Sequence, residues 1–112
     1  MVSTSLETFA TDVIEASFQR PVLVDFWAEW CSPCLVIAPV LEQLYQDLQG
    51  AIGLAKLEVD AGDNMKLAGQ YRVRGFPTVM LVYRGQEVAR FSGARSPQQV
   101  RAFLQEHTDL SL

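Results

Sequence analysis

A strongly apolar run, Val22-Leu23-Val24-Asp25-Phe26-Trp27-Ala28, leads almost directly into Trp30-Cys31-Ser32-Pro33-Cys34, after which apolar residues recur at helical spacing. Few folds satisfy that junction. It asks a buried strand to turn straight into a helix, with two cysteines three positions apart where the helix begins. These are the only cysteines in the chain, so they cannot form a framework of staples. Their spacing suits a reversible dithiol, and a C-x-x-C between strand and helix reads as a redox motif.

The surrounding pattern extends the same architecture. The run Val22 to Ala28 is apolar on both faces, as expected of a central strand covered by helices on each side, which makes Asp25 in its middle costly. Beyond Cys31, the positions Cys34, Ile37, Ala38, Leu41, Leu44, Tyr45 and Leu48 form one stripe, and Gly50 supplies a stop. Leu35 falls off this stripe. Pro39 removes an amide donor and crowds the carbonyl of Leu35, which predicts a kink in the first half of the helix. Upstream, Phe9, Val13, Ile14 and Ala16 predict a helix from about Leu6 to Ser17, stopped by Gln19-Arg20-Pro21.

Downstream, a second strand is expected from Leu54 to Asp60, then a break at Ala61-Gly62-Asp63-Asn64 and a short helix to about Gln70. Val79 to Tyr83 and Glu87 to Ser92 read as a hairpin turning at Arg84-Gly85-Gln86, with Gly93 ending it. Ser96-Pro97-Gln98-Gln99 combines a serine cap, a proline at the first helical position and a glutamine three residues after the cap. A last helix should therefore start there, with Val100, Phe103 and Leu104 as its inner face. This order predicts an α/β domain spanning residues 1–112: a mixed sheet between helices, its parallel strands first and its antiparallel edge last.

Composition narrows the function. At 112 residues with 49% hydrophobic content, the chain can bury a core without disulfide support. A net charge of −4 and the lack of any basic cluster argue against nucleic acid as a partner. No apolar stretch approaches the roughly 20 residues of a membrane span, and the opening Met1-Val2-Ser3-Thr4-Ser5 has no positive region. The expected setting is a soluble, reducing, cytoplasmic one, with the chain acting as a monomer. No metal is expected, because a four-ligand zinc site needs more than two cysteines and the single His107. His107 is expected at a helix C-terminus without a catalytic role.

Several separated motifs together resemble the thioredoxin family: Val24-Asp25-Phe26-Trp27-Ala28-Glu29-Trp30-Cys31, Pro33-Cys34, Pro39, Ala55-Lys56-Leu57, Gly75-Phe76-Pro77-Thr78 and Gly93-Ala94. They occur in the family's order and near its spacing, from roughly Phe9 to the last helix. The resemblance implies the thioredoxin fold, with a central sheet of four to five strands flanked by four helices. It also implies protein-disulfide reduction without a bound cofactor, the electrons coming from a reductase, NADPH- or ferredoxin-linked. The chain departs from the family in carrying Ser32 where glycine is usual and Leu35 where a basic residue is common. Too few residues precede Phe9 for the family's full first strand, so any strand there is short, within Met1 to Thr4.

The chemistry explains the residue choices. A free cysteine ionises near pH 8.5, and only the thiolate attacks disulfides. Cys31 at a helix start can accept first-turn amides, including that of Cys34, and meets the positive end of the helix dipole. Both effects lower the Cys31 pKa toward neutrality and so raise the fraction present as reactive thiolate. Pro33 lacks an amide where none is needed, and Cys34, one turn inside, should be shielded.

Asp25, desolvated in an apolar strand, suits the task of holding or taking the Cys34 proton; without the cysteines a merely hydrogen-bonded strand residue would be the reading, but beside them proton transfer is favoured. By the resemblance, Lys56 approaches Asp25 and moderates its shift; an exposed strand lysine is the less favoured alternative. Phe76-Pro77 resembles the family's cis-proline dipeptide facing the cysteines. Trp30, Ser32, Pro33, Gly75, Phe76, Pro77, Gly93 and Ala94 would then form a shallow docking surface, extended by Leu35. Arg72 and Arg74 flank that loop and could select acidic targets or merely be solvated. Two other functions stay open: an oxidase or isomerase whose potential is shifted by a Ser32 hydroxyl bonded to sulfur, and a binding module using the same surface. Proline before Cys34 matches the reductase pattern instead.

Overall fold

A computed structural model describes all of residues 1–112 and places a five-stranded sheet in the order β1-β3-β2-β4-β5 at the centre of the molecule. The strands are β1 (Val2–Ser3), β2 (Val22–Trp27), β3 (Gly53–Glu58), β4 (Thr78–Tyr83) and β5 (Gln86–Ser92). β1 and β2 run parallel to β3, whereas β4 runs antiparallel to both β2 and β5. The expected mixed sheet is therefore present, with β2 in its middle. Every residue from Val22 to Phe26 is buried, as the two-sided apolar run requires. The short first strand exists and is prolonged by the Thr4 amide, which donates to the Lys56 carbonyl at 2.9 Å.

Helices cover both faces. On one side lie α1 (Ser32–Asp47) and α3 (Pro97–His107), whose Ile37, Leu41, Leu44, Val100, Phe103 and Leu104 pack on Leu23, Leu54, Val79 and Leu81 of the sheet. The other side is covered by an N-terminal helical segment and α2 (Asn64–Gln70), burying Phe9, Val13, Leu67 and Ala68 against Val22, Val24, Phe26 and Met80. Alternation along β2 assigns its side chains to these two cores in turn, and Asp25 thereby shares the α1 face with Leu23. α1 continues through Pro39. α3 starts with a full capping box between Ser96 and Gln99, and His107 closes its last turn against the ring of Phe103.

Two local expectations need correction. The N-terminal helix does not begin at Leu6. Ser5 and Thr8 exchange side-chain-to-backbone hydrogen bonds, while the Leu6 amide donates to the buried Asn64 side chain at 2.9 Å, so the chain turns before the helix starts. The helical segment then consists of a π-helical turn, Ala10–Glu15, and a 3₁₀ turn, Ala16–Phe18. That last turn is tied down by Ser17, whose hydroxyl donates to the Ile14 carbonyl at 2.6 Å and accepts from the Gly85 amide at 2.8 Å.

The hairpin turn is also tighter than expected. Gln86 pairs with Tyr83, leaving only Arg84 and Gly85 in the loop, at φ 53° and 81°. Two successive positive φ values give the mirror-image turn whose twist matches that of paired strands.

Candidate active site

The C-terminal end of β2 delivers the chain to Cys31, the residue that caps α1. Its backbone is extended (φ −97°, ψ 101°), and its sulfur accepts a hydrogen bond from the Cys34 amide at 3.2 Å. Cys31 thus takes the place usually held by serine or aspartate at a helix start, and its sulfur lies where amide dipoles favour negative charge. Ser32 and Pro33 fill the first helical positions, where the missing proline amide costs nothing. Cys31 and Cys34 are joined by a disulfide with their Cα atoms 5.3 Å apart. Both are buried, Cys31 at 3% and Cys34 at 1% relative exposure, so the first cysteine is scarcely more open than the second. The accessible surface around them belongs to Trp30, Ser32, Pro33 and Leu35.

Asp25 lies on the α1 side of β2 and is 1% exposed, and neither of its carboxylate oxygens has a hydrogen-bond partner. Burial raises its pKa from the ordinary 3.8 to about 7; the Lys56 ammonium pulls the value down and the Glu42 carboxylate pushes it up. Lys56 stands directly opposite Asp25 across the β2–β3 pair. Its ammonium, however, makes its ion pair with Glu42 of α1 at 3.3 Å and lies 5.5 Å from the centre of the Trp27 ring. Lys56 therefore acts on Asp25 through the field and forms no direct ion pair with it.

The remaining anticipated residues form a rim. Trp30 is 65% exposed; its indole donates to Asp60 Oδ2 at 2.6 Å and meets the Phe76 ring edge-on, with centroids 6.0 Å apart. The Phe76–Pro77 peptide is cis, and the Pro77 carbonyl accepts the Gly93 amide at 2.9 Å, which joins the two loops. Gly93 needs to be glycine for its φ of 86°. Gly75 has no such requirement: its φ is ordinary and an added Cβ would touch nothing, so the open space there faces outward. Leu35 and Val36 are exposed at 54% and 61%, and Ala94 is exposed on the Gly93 loop. Arg72 and Arg74 are exposed and form no ion pair. The Ser32 hydroxyl is exposed and donates to neither sulfur.

Sequence reasoning missed two residues. Asp60, just beyond β3, orients Trp30, and Glu42 engages Lys56. Glu42 could have been suspected from its place about two helical turns beyond Cys34 on a helix packed against the sheet. Nothing local marks Asp60.

A cysteine pair closed as a disulfide, its first sulfur capping a helix, can exchange with other disulfides once reduced. Comparison with known proteins points to the same chemistry. A family profile described as Thioredoxin matches residues 1–106. The chain is 44% identical over 104 residues to a thioredoxin of Pseudomonas aeruginosa, covering 93% of each protein. It is also 44% identical over 98 residues to a thioredoxin of Acidithiobacillus ferridurans, covering 88% of this chain and 87% of that one. A thioredoxin of Chlorobaculum thiosulfatiphilum is 39% identical over 101 residues, 90% of each. With the fold, the cysteine pair and these relatives in agreement, the chain belongs to the thioredoxin family and is a thiol-disulfide oxidoreductase.

Proposed function

We propose that this oxidoreductase works as a general protein-disulfide reductase, with Cys31 as nucleophile, Cys34 as resolving thiol and Asp25 as the group that takes the Cys34 proton. The Cys31 thiolate attacks a substrate disulfide, whose S–S bond breaks as a mixed disulfide forms and one substrate sulfur leaves as thiolate. Cys34 then passes its proton to Asp25 and attacks the Cys31 sulfur. The second substrate sulfur leaves, the Cys31–Cys34 bond closes, and two electrons have moved from the dithiol to the substrate. A thioredoxin reductase, NADPH- or ferredoxin-linked, restores the dithiol. No metal or bound cofactor takes part. Trp30, Ser32, Pro33, Leu35, Gly75, Phe76, Pro77, Gly93 and Ala94 make the substrate surface, on which an extended segment lies against the glycine-flanked loops.

The observation that carries this reading is the sulfur of Cys31 accepting the amide of Cys34 at the start of α1, with the Asp25 carboxyl buried and unpartnered in the adjoining strand. The oxidase or isomerase alternative drew on a bond from Ser32 to sulfur, a contact this geometry lacks. The protein is read as a single-domain monomer of the cytoplasm; no helix is long and apolar enough to cross a membrane.

Insulin reduction by Cys31→Ser should fall to the uncatalysed rate. Cys34→Ser, lacking the resolving thiol, should accumulate target proteins covalently joined through Cys31. Persistent reduction by the first variant, or a lysate yielding no mixed disulfides with the second, contradicts the assignment. Partner binding that survives in Cys31→Ser while reduction is lost would favour a binding module instead.

A further inference from the structure

Glu42 does more than decorate the surface of α1. Its side chain is 35% exposed, and its partner Lys56, at 23%, lies inward of it between the helix and the sheet. Lys56 and Asp25 face each other in register on adjacent parallel strands, and both project to the α1 side. A lysine so placed, with a flexible four-carbon stem, would ordinarily turn its ammonium toward the buried carboxylate. Here it turns outward, where the Glu42 carboxylate holds it at 3.3 Å and the Trp27 ring flanks it. Asp25 is left with no hydrogen-bond partner on either oxygen.

We propose that Glu42 is a positioning residue for disulfide exchange: by anchoring the Lys56 ammonium it keeps that cation from closing onto Asp25, and so leaves the Asp25 carboxyl free to receive the Cys34 proton. This rests on the assignment of Asp25 as proton acceptor. Were Lys56 to close on Asp25, the carboxylate would be stabilised as an ion and become a weaker base. The charged groups acting on Asp25 are Lys56 from β3 and Glu42 from α1, and from β4 its cross-strand neighbour is apolar Val79. Glu42 thus opposes Lys56 twice, through its own charge and through the lysine's position. The second effect is the larger one in this account, because it changes a distance across a region with little water to screen it.

The test tracks the Asp25 carboxyl directly, by carbon-13 NMR titration of the oxidised and reduced protein, alongside the pH profile of mixed-disulfide resolution in single turnover. Glu42→Gln should move the Asp25 midpoint toward acid by roughly half a pH unit or more, and the rising limb of the resolution profile should move with it. Glu42→Asp, which keeps the charge, should restore most of the original midpoint. In a Lys56→Met background, Glu42→Gln should move the midpoint by less than half as much, since the lysine through which it acts is gone. An equal shift with and without Lys56, or no shift at all, overturns the proposal. A shifted midpoint with an unmoved rate profile also overturns the role in exchange, and it locates the failure in Asp25 as proton acceptor and not in the Glu42–Lys56 contact.

Discussion

Replacing Asp25 by asparagine should make the protein more stable, and by an amount set by pH. The carboxyl is buried without a partner and ionises near pH 7, against 3.8 for an ordinary aspartate. Each unit of such a shift corresponds to about 1.4 kcal/mol, so the ionised folded state carries a penalty of about 4 kcal/mol. Because the native carboxyl holds its proton more tightly than the unfolded chain's does, the native state is favoured most below pH 3.8. That advantage drains away as the pH rises to about 7 and is fully lost above it. Asparagine has nearly the shape of the protonated acid and likewise buries unpaired polar atoms, so those costs largely cancel between the two proteins. Urea unfolding of both across pH 3.5 to 8 should therefore give equal stabilities at the acid end. Asparagine should then gain progressively, reaching about 4 kcal/mol by pH 8. A difference that stays flat with pH, or an asparagine variant less stable throughout, would refute the argument that burial holds this carboxyl protonated. If Asp25 takes the Cys34 proton as proposed, the same variant should also resolve mixed disulfides slowly near neutral pH.

Other substitutions probe separate parts of the structure. Gly93→Ala places a side chain at φ 86°, and thermal unfolding should show a loss of roughly 1–2 kcal/mol even though the added methyl meets open space. Ser96→Ala removes the capping box of α3 and should cost about 1 kcal/mol in urea unfolding. Asp60→Ala should free the Trp30 indole; in a Trp27→Phe background, fluorescence anisotropy should fall while the fold is retained, and an unchanged anisotropy would show that the bond does not hold the ring. Leu35→Lys, on an exposed site, should leave stability within about 0.5 kcal/mol but raise KM for substrates with apolar residues beside the disulfide. Equal KM values would remove Leu35 from the docking surface.

The junction between β2 and α1 was readable because one pattern ends where the other begins: a two-sided apolar strand gives way to a helical stripe, with cysteine standing in for a capping residue. The last helix was equally plain from Ser96, Pro97 and Gln99. These signals are local, and local hydrogen bonding enforces them. The N-terminal helix misled for the opposite reason. Its start is decided by the Leu6 amide bonding Asn64, far away in sequence, and its end by Ser17 bonding the turn at Gly85, which periodicity cannot reveal. The hairpin turn was overcounted because Arg84 accepts a positive φ that usually signals glycine or asparagine.

At the site, Asp25 declared itself as a charge inside an apolar strand. The direction of the Lys56 ammonium did not, because three elements contribute to it: β3 supplies the lysine, α1 supplies Glu42, and β2 supplies the Trp27 ring. Asp60 was invisible for a similar reason. Its contact with Trp30 spans thirty residues and exists only once β2 and β3 lie side by side.

The claim on which the enzymatic account turns is that the start of α1 keeps the sulfur of Cys31 anionic while Cys34 stays protonated. Titrating the reduced protein by thiolate absorbance, together with the pH dependence of iodoacetamide alkylation at each cysteine, measures this directly. The account predicts that Cys31 ionises clearly below the value of about 8.5 for an isolated cysteine and that Cys34 ionises well above Cys31. Two thiols titrating together at or above that value would contradict it.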